Sequence, residues 1–124
     1  MALHNKLGKD GEQAAINFLI SQGMTIRETN WKLGHLEIDI IAQSPGALIH
    51  VIEVKTRTHD DFDPLDAIDK KKRGHMIAAA SAYVEHQDID FEVQFDVMVL
   101  VGTPATGFSI DYIPDAFFPP LRHI

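Results

Sequence analysis

Two short runs of β-branched residues, separated by a Pro-Gly turn, constrain this chain more than any other feature. Residues 36–42 read LEIDIIA, and residues 48–55 read LIHVIEVK. Runs of this composition predict strands, and the Pro45-Gly46 dipeptide between them is typical of a tight turn. The sequence therefore predicts a β-hairpin.

Helices and further strands are predicted on both sides of this hairpin. In chain order they are a helix at residues 10–22, a short strand at 25–30, a helix from 63 to about 85, and strands at 91–101 and 108–113. Asp63-Pro64 has the chemistry of an N-cap followed by a first helical residue. The tail, about 114–124, is predicted to pack as coil. Together these elements predict one α/β domain, residues 1–124, with a mixed sheet flanked by helices.

Two carboxylates lie in the hairpin where a strand usually carries apolar side chains. Asp39 and Glu53 are each surrounded by Ile or Val, and Lys55 shares a face with Glu53. Buried carboxylates are normally paired or bound to a metal ion, because their desolvation is costly. Two carboxylates and an amine therefore predict a Mg²⁺ site suited to metal-assisted phosphodiester hydrolysis.

This site has a geometric condition and an alternative. Residues directly opposite each other in an antiparallel pair share a face, so Asp39 faces Glu53 only if the loop near 44–47 has an odd length or a bulge. A two-residue turn would put the carboxylates on opposite faces. The alternative is a solvated strand face, on which Glu53 and Lys55 form a weak surface pair.

Charge and composition limit the function further. The chain has 11 Lys and Arg against 18 Asp and Glu, for a net charge of −7, so DNA binding would need metal cations or a local basic patch. The absence of cysteine excludes disulfides and thiolate zinc sites and suits a cytoplasmic protein. No apolar run is long enough to span a membrane, so no membrane association is predicted. The one basic cluster, residues 70–73, would spread around a helix.

Five stretches in order carry a family resemblance through about residue 101. They are GKDGEQAA at 8–15, GHLEIDIIA at 34–42, VIEVKTR at 51–57, residues 67–84, and FDV at 95–97. On these stretches the chain resembles the YraN-like bacterial family, within the restriction-endonuclease-like PD-(D/E)XK nuclease superfamily. Archaeal Holliday-junction resolvases are relatives in that superfamily.

The resemblance implies a restriction-endonuclease-like αβββαβ core and assigns catalytic roles to Asp39, Glu53 and Lys55. It makes Glu12, on the first helix, an accessory metal ligand beside Asp39 and Glu53. It also implies a role for Lys72, which lies on the apolar stripe of the second helix. A lysine there must either reach solvent along its stem or point at an anion.

The implied function is a Mg²⁺- or Mn²⁺-dependent endonuclease acting on DNA, for example branched or damaged DNA, and a homodimer is one expectation. The alternative is a non-catalytic nucleic-acid-associated or protein-interaction module that keeps the fold. Two departures from the family pattern, Leu36 for Gly and Gln94 for Arg, leave the catalytic set intact. His50 and Asp96 are predicted to be structural.

Overall fold

The computed structural model describes residues 2–59 and 68–118. The elements in chain order are α1 (Ala2–Ser21), β1 (Thr25–Leu33), β2 (Leu36–Ser44), β3 (Leu48–Arg57), α2 (Lys70–His86), β4 (Glu92–Thr103) and β5 (Gly107–Phe117). The strands form one sheet in the order β1-β2-β3-β4-β5, in which β3 and β4 are parallel and the other neighbours are antiparallel. The predicted α/β fold with an αβββαβ core is confirmed, and it is consistent with a restriction-endonuclease-like core.

The sheet separates two apolar cores, one beneath each helix. On one face, Ala15 and Leu19 of α1 pack with strand residues that include Ile40, Ile52 and Met98. On the other face, Met76, Ala79 and Tyr83 of α2 pack with strand residues that include Ile41, Val51 and Val97. Because β3 and β4 are covered on both faces, their apolar runs are nearly continuous. Neither helix in the described ranges is both long and apolar enough to cross a membrane.

The second helix begins later than predicted. Asp69 has extended backbone angles and accepts a hydrogen bond from the Lys72 N–H at 2.7 Å, so α2 starts at Lys70. The predicted start at Asp63 lies outside the described residues, but the two residues before Lys70 are not helical. A continuous helix from 63 is therefore wrong, because Asp69 is a competing N-cap. The first helix differs in the opposite sense, since α1 already begins at Ala2.

The tail is strand rather than coil over its first residues. Strand β5 continues to Phe117, whose ring stacks on Phe95 with 4.9 Å between the ring centroids. The ladder between β4 and β5 shifts register opposite Asp96, and Pro114 lies in this bulge, where a missing N–H is tolerated. The bulge interrupts the alternation of apolar and polar residues, so the sequence pattern did not predict this part of the strand. Residues 119–124 of the predicted coil lie outside the described residues.

Candidate functional site

The hairpin of β2 and β3 has the register that the candidate site requires. Residues Ser44 and Leu48 pair at its end, and the ladder runs from there to the pair of Ile40 with Ile52. The loop between the strands has an odd length, residues 45–47, as the sequence prediction required. The next pair along this ladder would be Asp39 with Glu53.

Glu53 is a buried carboxylate held between two ammonium groups. Its side chain is 8% exposed; Oε2 lies 3.3 Å from Lys55 Nζ and Oε1 lies 3.2 Å from Lys72 Nζ. The solvated-face alternative is therefore wrong for Glu53, since a surface pair would leave the carboxylate in water. Lys72 was expected either to reach solvent or to point at an anion, and its ammonium points at the Glu53 carboxylate.

Asp39 lies just beyond the last pair of the β2–β3 ladder, at a position that the β1–β2 ladder skips. In the described part of the chain it is paired in neither the β1–β2 nor the β2–β3 ladder, and its Oδ2 accepts a hydrogen bond from the Val54 N–H at 2.9 Å. Burial, followed by the negative charge of Glu53, raises the pKa of Asp39 from 3.8 to about 7. Part of this local negative charge is thus left uncompensated.

Glu12 approaches the same region from α1. Its Oε1 accepts a hydrogen bond from Asn30 Nδ2 at 2.6 Å, and burial raises its pKa. The preceding residue, Gly11, lies against β3 so closely that a Cβ atom there would overlap the Thr56 side chain. Glu12 and Asp39 both line an open cleft of about 540 Å³.

The three carboxylates do not form a ready-made metal cage. In the described ranges, no group of three or more His, Asp or Glu side chains could hold a metal ion. After burial, the charge of Glu53 and, to a smaller extent, that of Glu12 raise the pKa of Asp39, while Glu12 is itself held by Asn30. The donor set still suits Mg²⁺, because carboxylate oxygens are hard ligands and this ion keeps several of its waters.

Asn30 is the site residue that sequence reasoning missed. Its backbone φ is 51°, a left-handed conformation that asparagine adopts more readily than most residues. That conformation lies within β1 and brings the side-chain amide to Glu12. An asparagine inside a predicted strand is the signal that could have indicated such an irregularity.

His50 and Asp96 lie away from Glu53 and form a buried network, so their predicted structural roles are confirmed. His50 Nδ1 is 2.7 Å from Asp96 Oδ2, and His50 Nε2 is 2.8 Å from Ser44 Oγ. The Tyr112 hydroxyl donates to the same carboxylate at 2.5 Å. Gln94, at the position where the family usually has Arg, also donates to Asp96, at 2.9 Å. The departure at 94 therefore keeps a carboxylate contact.

Comparisons with known proteins identify a family and no reaction. The family described as Uncharacterised protein family UPF0102 matches residues 11–100. Similar chains include UPF0102 proteins of Phocaeicola vulgatus, 45% identical over 98% of this chain and 99% of the relative, and of Parabacteroides distasonis, 46% identical over 98% and 100%. A UPF0102 protein of Flavobacterium psychrophilum is 41% identical over 95% of this chain and 98% of its own length. These matches confirm the YraN-like resemblance.

Proposed function

We propose that this chain, which belongs to the uncharacterised protein family UPF0102, is a divalent-metal-dependent endonuclease acting on DNA. The observation that carries the proposal is the pair of Asp39 and Glu53, whose burial and like charge raise the pKa of Asp39 to about 7. Lys55 and Lys72 contact Glu53, yet the pKa of Asp39 stays raised, so a further cation would stabilise its charged form. Perturbed carboxylates beside an open cleft are also typical of functional sites.

Asp39 and Glu53 would hold Mg²⁺ or Mn²⁺, and Glu12 would join them as the accessory ligand only by moving from its hydrogen bond with Asn30. The bound ion would stabilise charge on a phosphoryl group and lower the pKa of water. Two protein carboxylates are enough for this purpose, because waters complete the shell of Mg²⁺. Membership of the PD-(D/E)XK nuclease superfamily is part of the same proposal.

The two lysines have different roles in this proposal. Lys55, whose Nζ lies 3.3 Å from Glu53 Oε2, would orient the attacking water and stabilise charge on the phosphate. Lys72 would act as a positioning residue that holds Glu53 from the α2 side. In the reaction, the water oxygen forms a bond to phosphorus, one bond from phosphorus to a deoxyribose oxygen breaks, and that oxygen receives a proton.

Cleavage assays test the proposal directly. Purified protein is incubated with linear, nicked, flapped and four-way DNA in Mg²⁺ or Mn²⁺. Glu53→Gln and Lys55→Ala should each abolish cleavage, whereas Glu37→Gln and Lys32→Ala should not. Glu37 and Lys32 form a matched exposed pair with 4.0 Å between their charged atoms. Absence of cleavage on every substrate, or cleavage that survives Glu53→Gln, would overturn the proposal.

A non-catalytic nucleic-acid-associated or protein-interaction module is the second candidate. The observation that favours it is the engagement of both Glu53 oxygens by Lys55 and Lys72, which leaves a metal to compete with two ammonium groups. A metal that binds only the folded state raises the melting temperature. The nuclease proposal predicts such a rise with Mg²⁺ or Mn²⁺ and its loss in Asp39→Asn, whereas the second candidate predicts no rise.

We further propose a homodimer and a cytoplasmic location. A branched DNA has two strands to cut, so two copies of the site would act on one substrate. A cytoplasmic location is consistent with a chain that lacks cysteine. Sedimentation velocity of the purified protein, with and without four-way DNA, tests the dimer.

A further inference from the structure

A second cleft opens beside the carboxylate pair, on the α2 side of the sheet. It has a volume of about 560 Å³, and its lining residues are Lys55, Asp69, Lys71, Lys72 and His75. Two of these, Lys55 and Lys72, are the residues that hold Glu53. The cleft is therefore continuous with the proposed active site.

The charge of this cleft is opposite to that of the whole chain. Three lysines and one histidine line it, although the protein has a net charge of −7. The single acid, Asp69, is turned toward the backbone, because its side chain caps α2 through the Lys72 N–H at 2.7 Å. Lys55 and Lys72 share the Glu53 carboxylate, so the cleft still carries more positive than negative charge among the described residues, with Lys71 and His75 at its open side.

The position of these cations on the helix is unfavourable for stability. The first turn of α2 contains no acidic residue and starts with the basic cluster 70–73. Cations near a helix N-terminus are repelled by the helix dipole, and anions are attracted there. Asp69 at the N-cap and Glu53 between Lys55 and Lys72 compensate part of this charge, and a bound anion would offset the remainder, which includes the charge of Lys71.

The basic cluster divides between two surfaces, which supplies a matched control. Lys71 and Lys72 line the cleft with His75, one turn further along α2. Lys70 and Arg73 instead line a separate depression that includes Phe117. Residues of equal charge in the same turn of helix therefore differ in whether they face the proposed active site.

We infer that this cleft binds a backbone phosphate of a polynucleotide strand, adjacent to the phosphate that is cleaved, with Lys71 and His75 as positioning residues. The inference rests on the proposed function and names the surface that binds the substrate. It also answers the charge objection to DNA binding, since one local basic cleft is sufficient on an otherwise acidic protein. Contacts of this kind fix the register of a strand and carry no sequence preference.

Binding of fluorescently labelled DNA, followed by anisotropy in chelator and low salt, tests the inference without cleavage. Lys71→Ala and His75→Ala should each weaken binding about threefold to tenfold for any sequence, and Lys71→Ala should reduce the salt slope by about 1. Lys70→Ala and Arg73→Ala should change the affinity less than about twofold. Unchanged thermal stability of Lys71→Ala would show that the variant is folded.

Four results would overturn the inference. Equal losses in the Lys71→Ala and Lys70→Ala variants would mean that binding is diffuse, and no detectable DNA binding would remove the surface altogether. If inorganic phosphate alone shifts the His75 NMR resonances while Lys71→Ala leaves DNA affinity unchanged, the cleft binds a free phosphate instead of a strand. DNA cleavage with unaltered binding by Lys71→Ala would reject this inference and keep the proposed function. Loss of DNA binding in Lys71→Ala, together with no cleavage by the unaltered protein, would keep this inference and reject the proposed function.

Discussion

Replacing Asp39 by Asn should stabilise the protein at neutral and alkaline pH. The pKa of Asp39 is raised from 3.8 to about 7, first by burial and then by the charge of Glu53. The folded protein therefore binds a proton that the unfolded chain has lost, and the free energy of unfolding falls as pH rises from about 4 to about 7. Asn removes the charge, and its side-chain oxygen can still accept the hydrogen bond from the Val54 N–H.

The pKa shift sets an upper limit on this effect. A difference of about 3 units corresponds to about 4 kcal/mol, at about 1.36 kcal/mol per unit. Asp39 lies at an open cleft, where solvent screens part of the repulsion. We expect Asp39→Asn to raise the free energy of unfolding by about 2 kcal/mol at about pH 8 and by close to zero at about pH 4.

Urea denaturation across this pH range, with a chelator present, measures the effect. The quantity of interest is the difference between Asp39→Asn and the unaltered protein, in which contributions of other titrating groups largely cancel. Glu37→Gln is the control, because Glu37 is an exposed acid on the same strand. It should give a much smaller change with pH, since its charge is the smallest of the causes that shift the pKa of Glu12. A flat difference for Asp39→Asn, or a variant that is less stable at about pH 8, would refute this reasoning.

Three further predictions concern the framework around the site. Burial raises the pKa of Asp96, but the hydrogen bonds with His50 and Tyr112 outweigh it and hold the pKa below its ordinary value. Asp96→Asn should therefore lower the free energy of unfolding by about 2–3 kcal/mol at neutral pH, measured by urea denaturation. The loss should become smaller in acid, where the carboxylate protonates. Ala47 has a φ of 63° in the hairpin loop, so Ala47→Gly should raise the melting temperature, by the equivalent of about 0.5–1 kcal/mol; an unchanged or lower value would contradict this. Phe117→Ala should cost about 2–4 kcal/mol, because its ring is buried in β5; a cost near zero would fit a coil.

The fold was predictable where the sequence has strong local patterns. The β-branched runs around Asp39 and Glu53 predicted the hairpin. The condition that both carboxylates share a face required an odd-length loop or a bulge, and the loop has an odd length. Boundaries were less predictable, because they depend on competition between local signals. Asp63 and Asp69 are both plausible N-caps, and only the folded chain decides between them.

The candidate site was predictable in its members and less so in their contacts. The spacing of Glu53 and Lys55 along one strand predicted that they share a face, where they form an ion pair. The approach of Lys72 to Glu53 depends on how α2 packs over the sheet, and a helical period alone left two alternatives. The hydrogen bond from Asn30 to Glu12 joins β1 to α1, and no local pattern encodes a contact between such distant segments.

The contact of Gly11 with Thr56 has a consequence for Glu12, the neighbouring acid on α1. The missing side chain at position 11 lets the helix axis approach the sheet, and the added methyl group of alanine would press against the Thr56 side chain. Substitution of this glycine would therefore lift Glu12 away from the cleft without altering any charge. The hydrogen atom that Gly11 has in place of a methyl group thus determines how far the Glu12 carboxylate extends into the cleft.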